Sequence, residues 1–144
     1  MEFEVGQRAS VSRTVTESDL VNFAGVSGDF NPVHVDAEYA RTTRFGQRVA
    51  HGLLTASIMS SLLGMKLPGP GAIYLGQTLR FLKPVFIGDT VTAHVEVTQW
   101  IAEKRRVILN TWVENQRGEK VLEGEATLWV PARWHGAKCN MVVA

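Results

Sequence analysis

The chain has 144 residues, of which 45% are hydrophobic, 20% charged and 8% aromatic, a composition that suits one globular domain and excludes a disordered, collagen-like or cysteine-scaffolded protein. Lys and Arg number 15 against 14 for Asp and Glu, a formal net charge of +1, so no broad field draws the chain to a nucleic-acid backbone, although Lys104-Arg105-Arg106 offers a local site for an anion. With one cysteine, Cys139, no signal peptide and no apolar run near ~18 residues, a water-soluble, cytoplasmic protein without a membrane or nucleic-acid partner is expected.

Gln7 to Val15 alternates weakly and reads as extended. Thr16 followed by Asp19 resembles a capping box, which predicts a short helix through Asp19–Ala24 that stops near Gly25 and Gly28. Ser27–Asp36 then reads as a loop, because Pro32 biases Asn31 away from helical angles and Gly28 permits a tight backbone. Asp36 is placed to cap a small helix over Ala37–Thr42. From Gly52 to Met65 there is no charge, and apolar or small residues lie nearly all round, so a buried helix is expected, ending at Gly64.

After Leu67-Pro68-Gly69-Pro70-Gly71 the period changes to two. Ile73–Leu82, Thr90–Trp100, Arg106–Asn115 and Lys120–Val130 read as strands, with Arg117-Gly118 turning between the last two. The connections are too short for helical crossovers, which predicts an antiparallel meander. An α+β domain follows, in which a long antiparallel sheet covers its apolar face with one central helix. Residues 1–131 form that domain, and 132–144, including Trp134, His135 and Cys139, read as a C-terminal extension.

Chemistry concentrates between Asp29 and Gly52. Asp29 and His34 offer a carboxylate and an imidazole able to share one water, the combination that moves a proton near neutral pH. The Gly52 N–H, at the positive end of the central helix, is suited to a polarised carbonyl oxygen. Each residue also has a local reading: Asp29 as the cap of a turn, His34 as a hydrogen-bonded loop histidine. Asp29, His34, Asp36 and His51 together could ligate a metal, but their spacing matches no established ligand motif, and no metal is expected. Phe23, Phe30, Leu53, Leu54, Ile58, Met59, Leu62, Leu63 and Met65 are core by their spacing, with an apolar ligand pocket as the other use. His94 should point outward from its strand, and Trp100, Trp112, Trp129 and Trp134 should cover the sheet or serve a subunit or tail contact.

The run Ser27-Gly28-Asp29-Phe30-Asn31-Pro32-Val33-His34-Val35-Asp36, then Phe45-Gly46-Gln47-Arg48-Val49-Ala50-His51-Gly52, closely resembles the signature of the MaoC-like family of (R)-specific enoyl-CoA hydratases. The likeness continues through Leu62-Leu63-Gly64, Ile73-Tyr74-Leu75-Gly76-Gln77 and Phe81-Leu82-Lys83-Pro84-Val85-Phe86-Ile87-Gly88-Asp89, so it spans about Val5 to Pro131. It is strongest to the short single-domain members that serve polyhydroxyalkanoate synthesis within fatty acid metabolism. The resemblance implies a hot-dog fold, a homodimer joined edge to edge, an acyl-CoA substrate and no cofactor. It implies syn hydration of a trans-2-enoyl-CoA to the (3R)-hydroxyacyl-CoA, a hydro-lyase reaction. By the same resemblance Asp29 and His34 are the acid/base pair, Gly52 N–H the thioester-oxygen donor and Ser60 an orienting group. Asn31 fixes the loop or bonds the catalytic groups. A helix serine bonded back to its own backbone is the competing reading of Ser60, and a purely local turn role that of Asn31. The alternatives are a (3R)-hydroxyacyl-carrier-protein dehydratase, a thioesterase, and a non-catalytic acyl-CoA-binding module; hot-dog thioesterases generally lack the Asp29–His34 loop.

Overall fold

The computed structural model describes residues 2–132. Its scaffold is one antiparallel sheet of six strands: β1 (Arg8–Thr14), β2 (Ile73–Gln77), β3 (Arg80–Phe81), β4 (Thr90–Ile101), β5 (Arg106–Glu114) and β6 (Lys120–Trp129), in the order β1-β4-β5-β6-β2 with β3 also on β6. The meander expected from the alternation is β4-β5-β6. In β4, Val91, Ala93, Val95 and Val97 are fully buried while Thr92, His94 and Glu96 face outward, and β5 repeats the pattern with Val107, Leu109, Thr111 and Val113. Each such Val or Leu removed from water contributes about 1.5–3 kcal/mol.

The inner face of that sheet is covered by α4 (Gly52–Met65), which buries Thr55, Ile58, Met59, Leu62 and Leu63 against it. This is the curved sheet around a central helix that the sequence predicts. Two details of α4 differ from expectation. The helix does not end at Gly64: the Leu62 and Leu63 carbonyls accept from the N–H groups of Leu67 (3.1 Å) and Gly69 (2.9 Å), so the following segment caps it from outside. Nor is it buried all round, since Leu53, Ser57, Ser60, Ser61 and Met65 lie exposed on its far side.

The predicted strand Ile73–Leu82 is broken into β2 and β3. The register on β6 shifts between Tyr74 and Gly76; at Thr78 the N–H still donates to the Glu125 carbonyl at 2.9 Å, but the return bond from Glu125 N–H goes to the Thr78 hydroxyl, also at 2.9 Å. Inside the sheet the fully buried Thr111 hydroxyl is satisfied by Gln77 Nε2 at 3.0 Å. This pairing joins residues 34 positions apart and has no local signature.

Ahead of α4 come α1 (Glu17–Ser27), α2 (Pro32–Val35) and α3 (Ala37–Arg41). The capping box is present: Asp19 N–H donates to Thr16 Oγ1 and Thr16 N–H to Asp19 Oδ2. Burial works against the Asp19 carboxylate, but the Thr16 hydrogen bonds and Arg13 hold its pKa below the ordinary value. Gly28, at φ 80°, closes α1 in the left-handed conformation, at the second of the two glycines where the sequence stops the helix.

Within the basic run Arg105 is engaged, while Lys104 and Arg106 are exposed. Arg105 lies over the Trp100 ring, pairs with Glu2 and donates to the Val130 and Pro131 carbonyls. Trp100 packs on Phe3, Trp112 stacks on His94, and His94 Nε2 sits 3.5 Å from Glu114. The extension from 132 to 144, with Trp134, His135 and Cys139, lies outside the described residues except for Ala132.

Candidate active site

Ser27–Asp36 is not wholly a loop. Asn31 caps α2: its Oδ1 accepts from Val33 N–H (3.2 Å), and Pro32 occupies the first helical position, where no N–H is needed. Asn31 thus builds the single turn that carries His34. Its own N–H donates to Asp29 Oδ1 at 3.1 Å. That bond occupies one carboxylate oxygen and leaves the other, Oδ2, facing His34 Nε2 at 3.9 Å.

His34 is fixed from its other side. Its Nδ1 lies 2.7 Å from the Val49 carbonyl oxygen, which only accepts. In the neutral ring the proton is therefore on Nδ1, and Nε2 turns its lone pair toward Asp29. Val49 is held in turn by its N–H bond to the Val33 carbonyl at 3.1 Å, and Arg48 Nε donates to the His34 carbonyl at 2.7 Å. The His34 side chain is 13% exposed and that of Asp29 50%, so the pair spans the boundary between the interior and water.

His51 completes the cluster. Only 2% exposed, it stacks on His34 with ring centroids 3.8 Å apart, and its Nε2 donates to the Asp29 backbone carbonyl at 3.0 Å. The ligating atoms of Asp29, His34 and His51 lie within 4.8 Å of one another, whereas Asp36 spends Oδ1 capping α3 through Glu38 and Tyr39 N–H. In the sequence His51 figures only as a possible metal ligand ahead of Gly52; its hold on a carbonyl 22 positions away has no local signature.

The pair opens on a cavity of about 490 Å³, the size of a small-ligand site, whose walls include Phe23, Thr55, Phe81, Val85 and Leu122. Gly52 is also in its wall. As the first residue of α4, it has an N–H with no carbonyl one turn back, at the positive end of the helix. A Cβ on Gly52 would lie 2.7 Å from Phe81 Cε1, so glycine admits the ring beside that N–H. Of the candidate pocket residues, Phe23 and Leu53 line the cavity. Ile58, Met59, Leu62 and Leu63 are core, and Phe30 and Met65 are exposed.

Ser60 does not join this group within one chain. It is exposed on α4 and lines a separate groove with Tyr74, Leu75 and Gln77. Ser57 and Ser61, its neighbours, bond back to the Leu54 and Ile58 carbonyls. Burial raises the pKa of the Tyr74 phenol in that groove, where it meets Gln77 Oε1.

A carboxylate and an oriented imidazole beside a helix N-terminus, at the mouth of a largely apolar cavity, define a site for acid–base chemistry on a polarised carbonyl compound. The family model for the MaoC like domain matches residues 2–118, and the chain belongs to that family. It is 54% identical to an (R)-specific enoyl-CoA hydratase of Rhodospirillum rubrum over 128 residues, 89% of this chain and 88% of the relative. It is 46% identical to a 3-hydroxybutyryl-CoA dehydratase of Methylorubrum extorquens over 132 residues, 92% and 83% of the two chains. Among solved structures, the (R)-hydratase of Aeromonas caviae involved in PHA biosynthesis superposes with a TM-score of 0.87 at 46% identity, covering 90% of this chain and 98% of that one. The hot-dog fold follows.

Proposed function

We propose that the chain is an (R)-specific enoyl-CoA hydratase, adding water reversibly and syn to a trans-2-enoyl-CoA to give the (3R)-hydroxyacyl-CoA. The observation that carries this reading is the approach of Asp29 Oδ2 and His34 Nε2 to 3.9 Å, with the His34 lone pair aimed by the Val49 carbonyl. That separation is too long for a direct hydrogen bond and suits two groups that hold one water between them. As the water's hydroxyl bonds to the β-carbon, the pair takes its proton and delivers a proton to the α-carbon, so one water is consumed. The electron pair of the alkene moves toward the thioester oxygen, where the Gly52 N–H stabilises the developing enolate. Such chemistry needs no covalent nucleophile and no cofactor.

Relatives at 46–54% identity named for CoA thioesters favour CoA over a carrier-protein thioester. The test is loss of enoyl absorbance with crotonyl-CoA, with chiral analysis of the product. The (3R) product is expected; the (3S) product, or no hydration, would overturn the reading. Gly52→Ala should lower kcat/KM by roughly 10–10²-fold, since the Phe81 ring must move against the donor N–H. Thermal denaturation of this variant should change little, because the Phe81 ring is half exposed and free to turn. Unchanged kcat/KM in a folded Gly52→Ala protein would remove Gly52 from the scheme.

A homodimer belongs to this reading. The β2 edge of the sheet is unpaired among the described residues, and it leaves Ile73, Tyr74 and Leu75 exposed, the latter two in one groove with Leu53 of α4. A second copy added along that edge would cover an apolar strip and satisfy the open strand. Residues 1–131 would be the catalytic unit and 132–144 an appended segment. No described helix is long and apolar enough to cross a membrane, and a chain with a lone cysteine suits the cytoplasm.

A further inference from the structure

The depth of the cavity is graded by burial. His51, Thr55, Val85, Val121 and Leu122 are buried in its floor, whereas Arg44 and Lys83 are exposed on its rim. These two rim cations are not equivalent. Lys83 Nζ is paired with Glu119 Oε2 at 2.6 Å, on a carboxylate whose other oxygen takes Arg117. The nearby Arg48 is occupied by Glu17 at 2.5 Å and by the His34 carbonyl. Arg44 instead rests its guanidinium carbon 4.9 Å above the centre of the Phe45 ring and has no carboxylate partner among the described residues.

We infer that Arg44 is an anion subsite that binds the phosphate of the carrier on which the acyl group arrives. The inference deepens the hydratase reading and rests on it. A thioester that reacts beside Gly52 must send its carrier out across the rim, and the carrier's chemistry there is a pantetheine arm ending in phosphate. Arg is matched to that group: its planar fork donates two parallel bonds to phosphate oxygens, and stacking on Phe45 holds the fork in place while its edge stays free. An unpaired cation at the mouth also raises the local concentration of a polyanionic substrate, an effect that salt screens.

The test is calorimetric binding of three non-reacting ligands, butyryl-CoA, butyryl-phosphopantetheine and butyryl-pantetheine, to wild type, Arg44→Ala and Arg44→Lys. Arg44→Ala should weaken butyryl-CoA roughly tenfold and leave butyryl-pantetheine, which has no phosphate, unchanged. Arg44→Lys should recover part of the loss, and added salt should weaken wild type more than Arg44→Ala. A matching loss with butyryl-phosphopantetheine would locate the contact at the phosphate shared by CoA and carrier protein. A loss with butyryl-CoA alone would locate it at the nucleotide phosphates; either result supports the subsite. With crotonyl-CoA the change should fall on KM rather than kcat. Equal weakening of butyryl-pantetheine, or undiminished binding of butyryl-CoA by folded Arg44→Ala, would overturn the inference. If Arg44 governs butyryl-CoA binding but crotonyl-CoA is not hydrated, the reaction assignment fails and the subsite stands.

Discussion

Asp29→Asn and His34→Gln are each expected to lower kcat for crotonyl-CoA hydration by about 10²–10⁴-fold, the range typical of a positioned acid or base. KM should change far less, because neither group is needed to hold the CoA portion. Both side chains reach the solvent boundary, so their loss leaves no large void in the core. Circular dichroism and the denaturation midpoint should therefore stay near those of wild type. The effect belongs to geometry as much as to residue type. Asp29 keeps one oxygen for Asn31 N–H and one for His34, and His34 has its ring set by a carbonyl 15 positions later. A variant that kept near-wild-type turnover would show that the pair does not handle the proton.

The second large effect is on stability and lies in the sheet. Gly124→Ala should fail to reach the native pairing of β6, because a Cβ there would sit 1.8 Å from the Thr78 carbonyl oxygen and 2.7 Å from its carbon. These are backbone atoms that no rotamer change moves aside, so β2 and β3 would have to part from β6. A loss of more than about 4 kcal/mol is expected, at the extreme of single substitutions. Gly25→Ala is the control. It lies exposed in α1, away from the sheet, with nothing within 4 Å of its added Cβ, and its midpoint in urea should change by no more than about 1 kcal/mol in either direction. Equal midpoints for the two variants would contradict the close approach at Thr78. Activity should fall with Gly124→Ala as well, since Phe81 of β3 and the segment after it wall the cavity.

Much of this architecture was legible because its signals are local. The alternation of β4 needs only a period of two, the capping box only Thr16 and Asp19, and α3 only the Asp36 cap. The Asp29–His34 pair was legible because both groups sit on one short segment with Asn31-Pro32 between them. What could not be read depends on contacts between distant residues. The break between β2 and β3 comes from the approach of Thr78 to Gly124, and α4 runs past Gly64 because Leu67 and Gly69 return to cap it. The tautomer of His34 depends on Val49, and His51 enters the site through the Asp29 carbonyl. Ser60 is the clearest instance: the resemblance puts it beside the pair, while within one chain its azimuth on α4 turns it to another groove. The exposed side of α4 was hidden for a related reason, since an apolar, uncharged helix does not reveal which flank the sheet will take.

Whether Asp29 and His34 act on the same water is best decided by the double variant. Asp29→Asn/His34→Gln, measured with both single variants in crotonyl-CoA hydration at saturating substrate, should be hardly slower than the slower single variant, because groups that act as one unit lose their whole effect with the first removal. If the losses multiplied, two independent contributions would be at work, and a shared water between Oδ2 and Nε2 would be the wrong description of this site.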